Sequence, residues 1–252
     1  MKTQNENKNE RMRAALATDA LAGAELRVGG ARERTKRLTT VAMLSAVAYV
    51  LVFLSHMMPI KVEGFLNYDP SDIVTVIGGF LFGPLTALLI AAVVAFIEFI
   101  TVSGTGVIGL IMNILSTVAF ACVAAFVYKK KQTLRGAVFA LISGILAMTA
   151  VMLLWNYIIT PLYMSVPRAQ VMAMLLPIFL PFNLLKGALN AAVALLLYKP
   201  LVTALRRARL IAPTRGDVAA RSARAKGRLM LPPTIVVLVT CVFFLLAWAG
   251  II

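Results

Sequence analysis

Asn183, Lys186, Gly187 and Asn190 fall at i, i+3, i+4 and i+7 in the run Pro181-Phe182-Asn183-Leu184-Leu185-Lys186-Gly187-Ala188-Leu189-Asn190. That spacing places them on one helical face. The surrounding stretch is otherwise apolar. A lysine in hydrocarbon costs about 2.5–3.5 kcal/mol on insertion scales, so it persists only where it meets a partner, a cavity or a ligand. Two amides on the same face can both donate and accept hydrogen bonds. Such a face suits an uncharged or weakly anionic small molecule held inside a membrane protein.

Other polar residues sit in apolar segments. Trp155-Asn156-Tyr157 sets an amide between two aromatic residues, at a depth similar to that expected for Asn183. Taken alone, Asn156 reads equally as an interhelical hydrogen bond within an aromatic belt. Asn113 lies within another span. Glu98 reads as the one carboxylate inside the membrane, near a span's end, where it reaches the interface or pairs locally. Asp72 or Ser71 suits the N-cap of the helix that follows. His56 stands alone without cysteines or a second histidine nearby, so it reads as an interfacial residue and not a metal ligand. No His-Glu-x-x-His motif, no paired carboxylates and no Gly-rich phosphate loop occurs. No catalytic chemistry, metal or cofactor is indicated. Lys186→Ala is expected to weaken ligand binding while leaving folding intact.

The elements that must hold these residues are membrane helices. Of 252 residues 61% are hydrophobic and only 14% charged, against about 25% charged in water-soluble domains. Apolar segments cover residues 38–58, 73–100, 107–128, 136–159, 171–198 and 234–252, and about 20 residues suffice for a span. The fold class is therefore an all-α integral membrane protein. Residues 1–37 form a basic tail, 38–205 the substrate-binding membrane domain, 206–229 a basic linker, and 230–252 an additional C-terminal transmembrane helix.

Net charge is +15, and topology accounts for it. Basic residues gather in the tail, at Lys129, Lys130, Lys131 and Arg135, and from residue 199 to 228. Such clusters mark the cytoplasmic side. They share one side only if 73–100 is a helical hairpin turning at Gly83-Pro84, although its first arm is short for a span. All but Lys61, Arg168 and Lys186 of the 25 basic residues are then cytoplasmic, the domain has six spans, and the N-terminus is inside. No nucleic acid is needed to explain the charge. External loops then cover residues 56–71 and 160–170.

Several of these motifs together resemble the S component, the substrate-binding subunit, of energy-coupling-factor (ECF) vitamin importers of the riboflavin type. Tyr68-Asp69-Pro70-Ser71-Asp72-Ile73 resembles the family's entry to the second helix, and Gly83-Pro84-Leu85 its turn between helices two and three. Trp155-Asn156-Tyr157 with Pro161 and Tyr163 resembles the end of helix five, and the Pro-Phe-Asn-x-x-Lys-Gly run the start of helix six. The resemblance implies a six-helix bundle that binds riboflavin from outside and does no chemistry. Its expected partners are a transmembrane coupling protein and two cytoplasmic ATPases, which use the ATP. It also implies that Asn156, Asn183 and Lys186 contact the isoalloxazine ring. Phe65, Leu66, Tyr68 and Asp69 would close over it, with Tyr157 and Tyr163 nearby, and Ala42 and Ala46 would face the coupling protein. An S component for another vitamin, a membrane-embedded enzyme and a proton-coupled carrier using Glu98 are the alternatives.

Overall fold

The computed structural model describes residues 33–57, 61–62, 66–208 and 210. Most of the basic tail, Phe65, nearly all of the linker and the whole C-terminal helix expected from the sequence lie outside these residues. Leu66 is described in its backbone only. The chain divides between Thr40 and Val41. On the N-terminal side, the described residues form the opening turns of helix α1, Glu33–Met57, where Glu33 and Lys36 pair at 3.8 Å, one turn apart. The helix thus begins five residues before the apolar segment that starts at Leu38.

From Val41 onward the chain is a helical bundle. After α1 comes a two-stranded antiparallel ribbon, β1 Lys61–Val62 and β2 Leu66–Asn67. The helices that follow are α2 Ser71–Phe82, α3 Pro84–Thr101, α4 Gly106–Lys130 and α5 Leu134–Met164. Then α6 Arg168–Met174 passes through a π-helical turn, Leu175–Phe179, into α7 Leu180–Arg207. Among the described residues five helices are long and apolar enough to cross a membrane, one of them the continuous run Arg168–Leu205. The sixth, α2, has only 12 residues, about 18 Å of helix.

Gly83 separates α2 from α3 with φ 96° and ψ 172°, a region open essentially to glycine alone. Pro84 then starts α3 where its missing N–H has no intrahelical role. The two arms fold back on each other. Ile77 and Ala87 share one apolar cluster, and Val74 shares another with Ile90 and Val94. This is the hairpin that the distribution of basic residues requires. Leu44, Ala48 and Val52 of α1 complete the second cluster.

Two prolines correct the expected boundaries. The segment ending at residue 159 continues as α5 through Pro161 to Met164, where Ser165 turns left-handed at φ 53°. Pro161 sits so near the helix end that it removes one backbone bond without breaking the helix. Most of the loop expected at 160–170 is therefore helical. Pro177 falls inside the π turn, where a widened turn accommodates the missing donor.

Candidate functional site

Successive helices alternate in direction, so one end of the bundle collects the C-terminal turns of α1, α3 and α5 with the N-terminal turns of α2, α4 and α7. Every intramembrane polar residue singled out in the sequence lies toward that end. At the opposite end Phe80 stacks on Tyr128 at 4.3 Å and meets Tyr198 edge-on at 6.3 Å, tying α2, α4 and α7 together.

Lys186 and Asn190, one turn apart on α7, both reach the first turn of α2. Lys186 Nζ lies 3.4 Å from Asp72 Oδ2, and Asn190 Nδ2 donates to the same oxygen at 3.2 Å. Asp72 is fully buried and Lys186 nearly so. Asn190 also donates to the Asp69 carbonyl at 3.0 Å, and its own carbonyl accepts from the Tyr68 hydroxyl at 2.6 Å. One amide therefore ties the segment entering α2 to α7.

Asp72 is not the helix cap expected from the sequence. Pro70 holds the N-cap position without a side-chain bond, and Asp69 Oδ1 accepts from the Ser71 N–H at 2.8 Å. With the short Asp69 side chain capping the turn, Asp72 is free to point into the bundle. Glu98 is accordingly not the one carboxylate inside the membrane.

The two other amides are buried but bonded within their own helices. Asn156 Nδ2 donates to the Met152 carbonyl at 2.7 Å, and Thr160 Oγ1 donates to Asn156 Oδ1 at 2.8 Å. Asn183 Nδ2 donates to the Phe179 carbonyl at 2.8 Å, at the end of the π turn. Gly187 lets α7 approach α5 closely, since a Cβ there would sit 3.0–3.1 Å from Ile145 and Met148. Met148, Met152 and Asn156 lie at i, i+4 and i+8 on α5, so the faces carrying Asn183 and Asn156 border the same interface.

Tyr157 and Tyr163 are not brought to this cluster; both are exposed, at 40% and 43%. A residue next to Asn156 is turned 100° round the helix, and Trp155 is the neighbour that packs on the core. Ala42 and Ala46 lie on an exposed stripe of α1, beside exposed Met43, Val47 and Val50.

A second polar group borders the first. Asn113 Nδ2 donates to Glu98 Oε2 at 2.9 Å, and His56 Nε2 lies 3.7 Å from Glu98 Oε1. His56 Nδ1 is 3.0 Å from the Val52 carbonyl. Glu98 thus pairs locally, and His56 is drawn from the interface toward a buried carboxylate. Sequence reasoning missed this partner and missed Asp72 as the partner of Lys186. The usable signal was the lysine itself, because a buried ammonium calls for a carboxylate. Among the described residues no three His, Cys, Asp or Glu side chains converge as metal ligands would.

Comparison with known proteins adds to this geometry. Residues 36–198 match the family described as "ECF transporter, substrate-specific component". The chain is 32% identical over 181 residues to "Riboflavin transporter RibU" of Staphylococcus aureus (strain TCH60), across 69% of this chain and 95% of that protein. It is 30% identical over 174 residues to "Riboflavin transporter FmnP" of Bacillus subtilis (strain 168), across 66% and 91%. Among solved structures, one described as "Structure and mechanism of the S component of a bacterial ECF transporter" matches at a TM-score of 0.58 and 32% identity, covering 68% of this chain and 98% of that one. A six-helix membrane bundle with a buried polar end, matched by the family over most of its described length, belongs to the substrate-specific components of ECF transporters.

Proposed function

We propose that this chain is the riboflavin-binding subunit of an ECF-type importer in the cell membrane. It captures the vitamin outside and hands it inward without catalysing a reaction. The observation that carries this reading is the buried Lys186, Asp72 and Asn190 cluster beside Asn183 and Asn156, in a chain similar over nearly the full length of two riboflavin transporters. Riboflavin offers a planar apolar ring, an imide edge with donor and acceptor groups, and a polyol. Amides, one ammonium and apolar walls suit all three.

Asn156, Asn183 and Lys186 read the ring edge, and the segment at Tyr68 and Asp69 closes over it. The tie from Tyr68 and Asp69 to Asn190 supports a closing role for that segment. Tyr157 and Tyr163, facing outward, act at the membrane boundary. Lys129, Lys130, Lys131, Arg135 and Lys199 lie toward the opposite end of the bundle, which supports a cytoplasmic location for that end and for the N-terminus. The riboflavin is cargo. A transmembrane coupling protein and two cytoplasmic ATPases are the partners, and they hydrolyse the ATP.

Protein purified in detergent from riboflavin-containing medium should carry a flavin absorption band near one equivalent, lost in Asn183→Ala. Folded protein with no flavin, and no quenching of added riboflavin fluorescence, would refute the assignment and point to another vitamin.

A further inference from the structure

A lone lysine in a membrane helix suggests a site for anions, but the surroundings of Lys186 argue the reverse. Its ammonium is already paired with Asp72 at 3.4 Å, and Asp69 and Glu98 are its other charged neighbours. Asp72 in turn faces Lys186 and Asp69, with Thr117 of α4 beside it. Glu98 lies 3.7 Å from His56 and accepts from Asn113, and the charges of Asp69 and Lys186 act on it from farther off. Among these described residues one lysine and one histidine stand against three carboxylates. Lys186, Asp72 and Glu98 are all largely buried, so water and salt screen their charges poorly. An arriving anion meets an ammonium that is already occupied and like charges around it. An uncharged heterocycle with donor and acceptor edges meets only dipoles it can satisfy.

We infer that Asp72, acting through Lys186, makes the site selective for an uncharged ligand over a phosphorylated form of the same ring. Asp72 is a positioning residue here: it holds the ammonium and offsets its charge. The inference rests on the riboflavin assignment above.

The test measures riboflavin and riboflavin 5′-phosphate binding to the full chain in detergent, by flavin fluorescence quenching. The variants are Asp72→Asn, which retains an acceptor for Asn190, and Glu98→Gln, which retains one for Asn113. At an effective dielectric constant of about 20, one charge at roughly 10 Å changes affinity about tenfold. Wild type should prefer riboflavin. Asp72→Asn should move the ratio of the two affinities about tenfold toward the phosphate, and Glu98→Gln should move it the same way by less. A variant that merely loosened the fold would weaken both ligands together. An unchanged ratio in Asp72→Asn overturns the inference. If that variant does not fold, an unchanged ratio in Glu98→Gln overturns it. A wild type that binds neither flavin refutes the riboflavin assignment itself, and the inference falls with it.

Discussion

Lys186 shows how one contact changes the meaning of a residue. Read as an unpaired charge, it could be removed without harm to folding, which is the expectation its sequence context supports. The structure pairs it with a fully buried Asp72. Removing one partner of a buried pair leaves the other uncompensated and costs about 3–5 kcal/mol, whereas removing both can be neutral. Lys186→Met should therefore lower the thermal midpoint in detergent sharply, and Lys186→Met combined with Asp72→Asn should recover most of the loss. A single variant as stable as wild type would contradict the pairing. Loss of binding in Lys186→Met alone is thus not evidence of ligand contact. Asn183→Ala is the cleaner probe, because the hydrogen bond that Asn183 makes among the described residues stays within its own helix region.

The elements repeat this mixture of legible and illegible. Helical spacing put Asn183, Lys186 and Asn190 on one face, and all three are buried. The same spacing argument applied to Trp155-Asn156-Tyr157 would have turned Tyr157 away from Asn156, as the structure does. The hairpin at Gly83 was legible because charge on either side demanded an even number of spans. Its geometry makes a prediction. Gly83→Ala places a Cβ at φ 96° and ψ 172°, which should cost about 1–3 kcal/mol. Chemical denaturation in detergent would read this as an earlier transition, and an unaltered midpoint would mean that the turn can relax. The ends of α5 and the π turn were not legible. Proline biases against helix continuation only locally, and neighbouring packing decides whether the helix goes on.

At the level of the whole molecule, outer surfaces matter as much as the site. Ala42 and Ala46 lie exposed on α1, away from Leu44, Ala48 and Val52, which face inward. Small residues let another helix approach closely. Ala42→Trp or Ala46→Trp should block assembly with a coupling protein yet leave flavin binding intact. Undiminished co-purification of the coupling protein would remove this stripe from the interface. The charge pattern acts on the same scale: the basic residues of α4, α5 and α7 gather at the end opposite the buried polar cluster.

Composition and segment length alone determined that this is a helical membrane protein, because spanning hydrocarbon demands long apolar helices. Periodicity alone determined which polar residues share a face. The partners were decided only by tertiary structure. Asp72 and Asn190 meet across 118 positions of chain, and Tyr68 and Asn190 across 122. A local pattern carries no information about which helices become neighbours, so it could name a buried lysine but not the carboxylate that offsets it. That pairing offsets the charge of the lysine and underlies the inference that the site prefers an uncharged ligand.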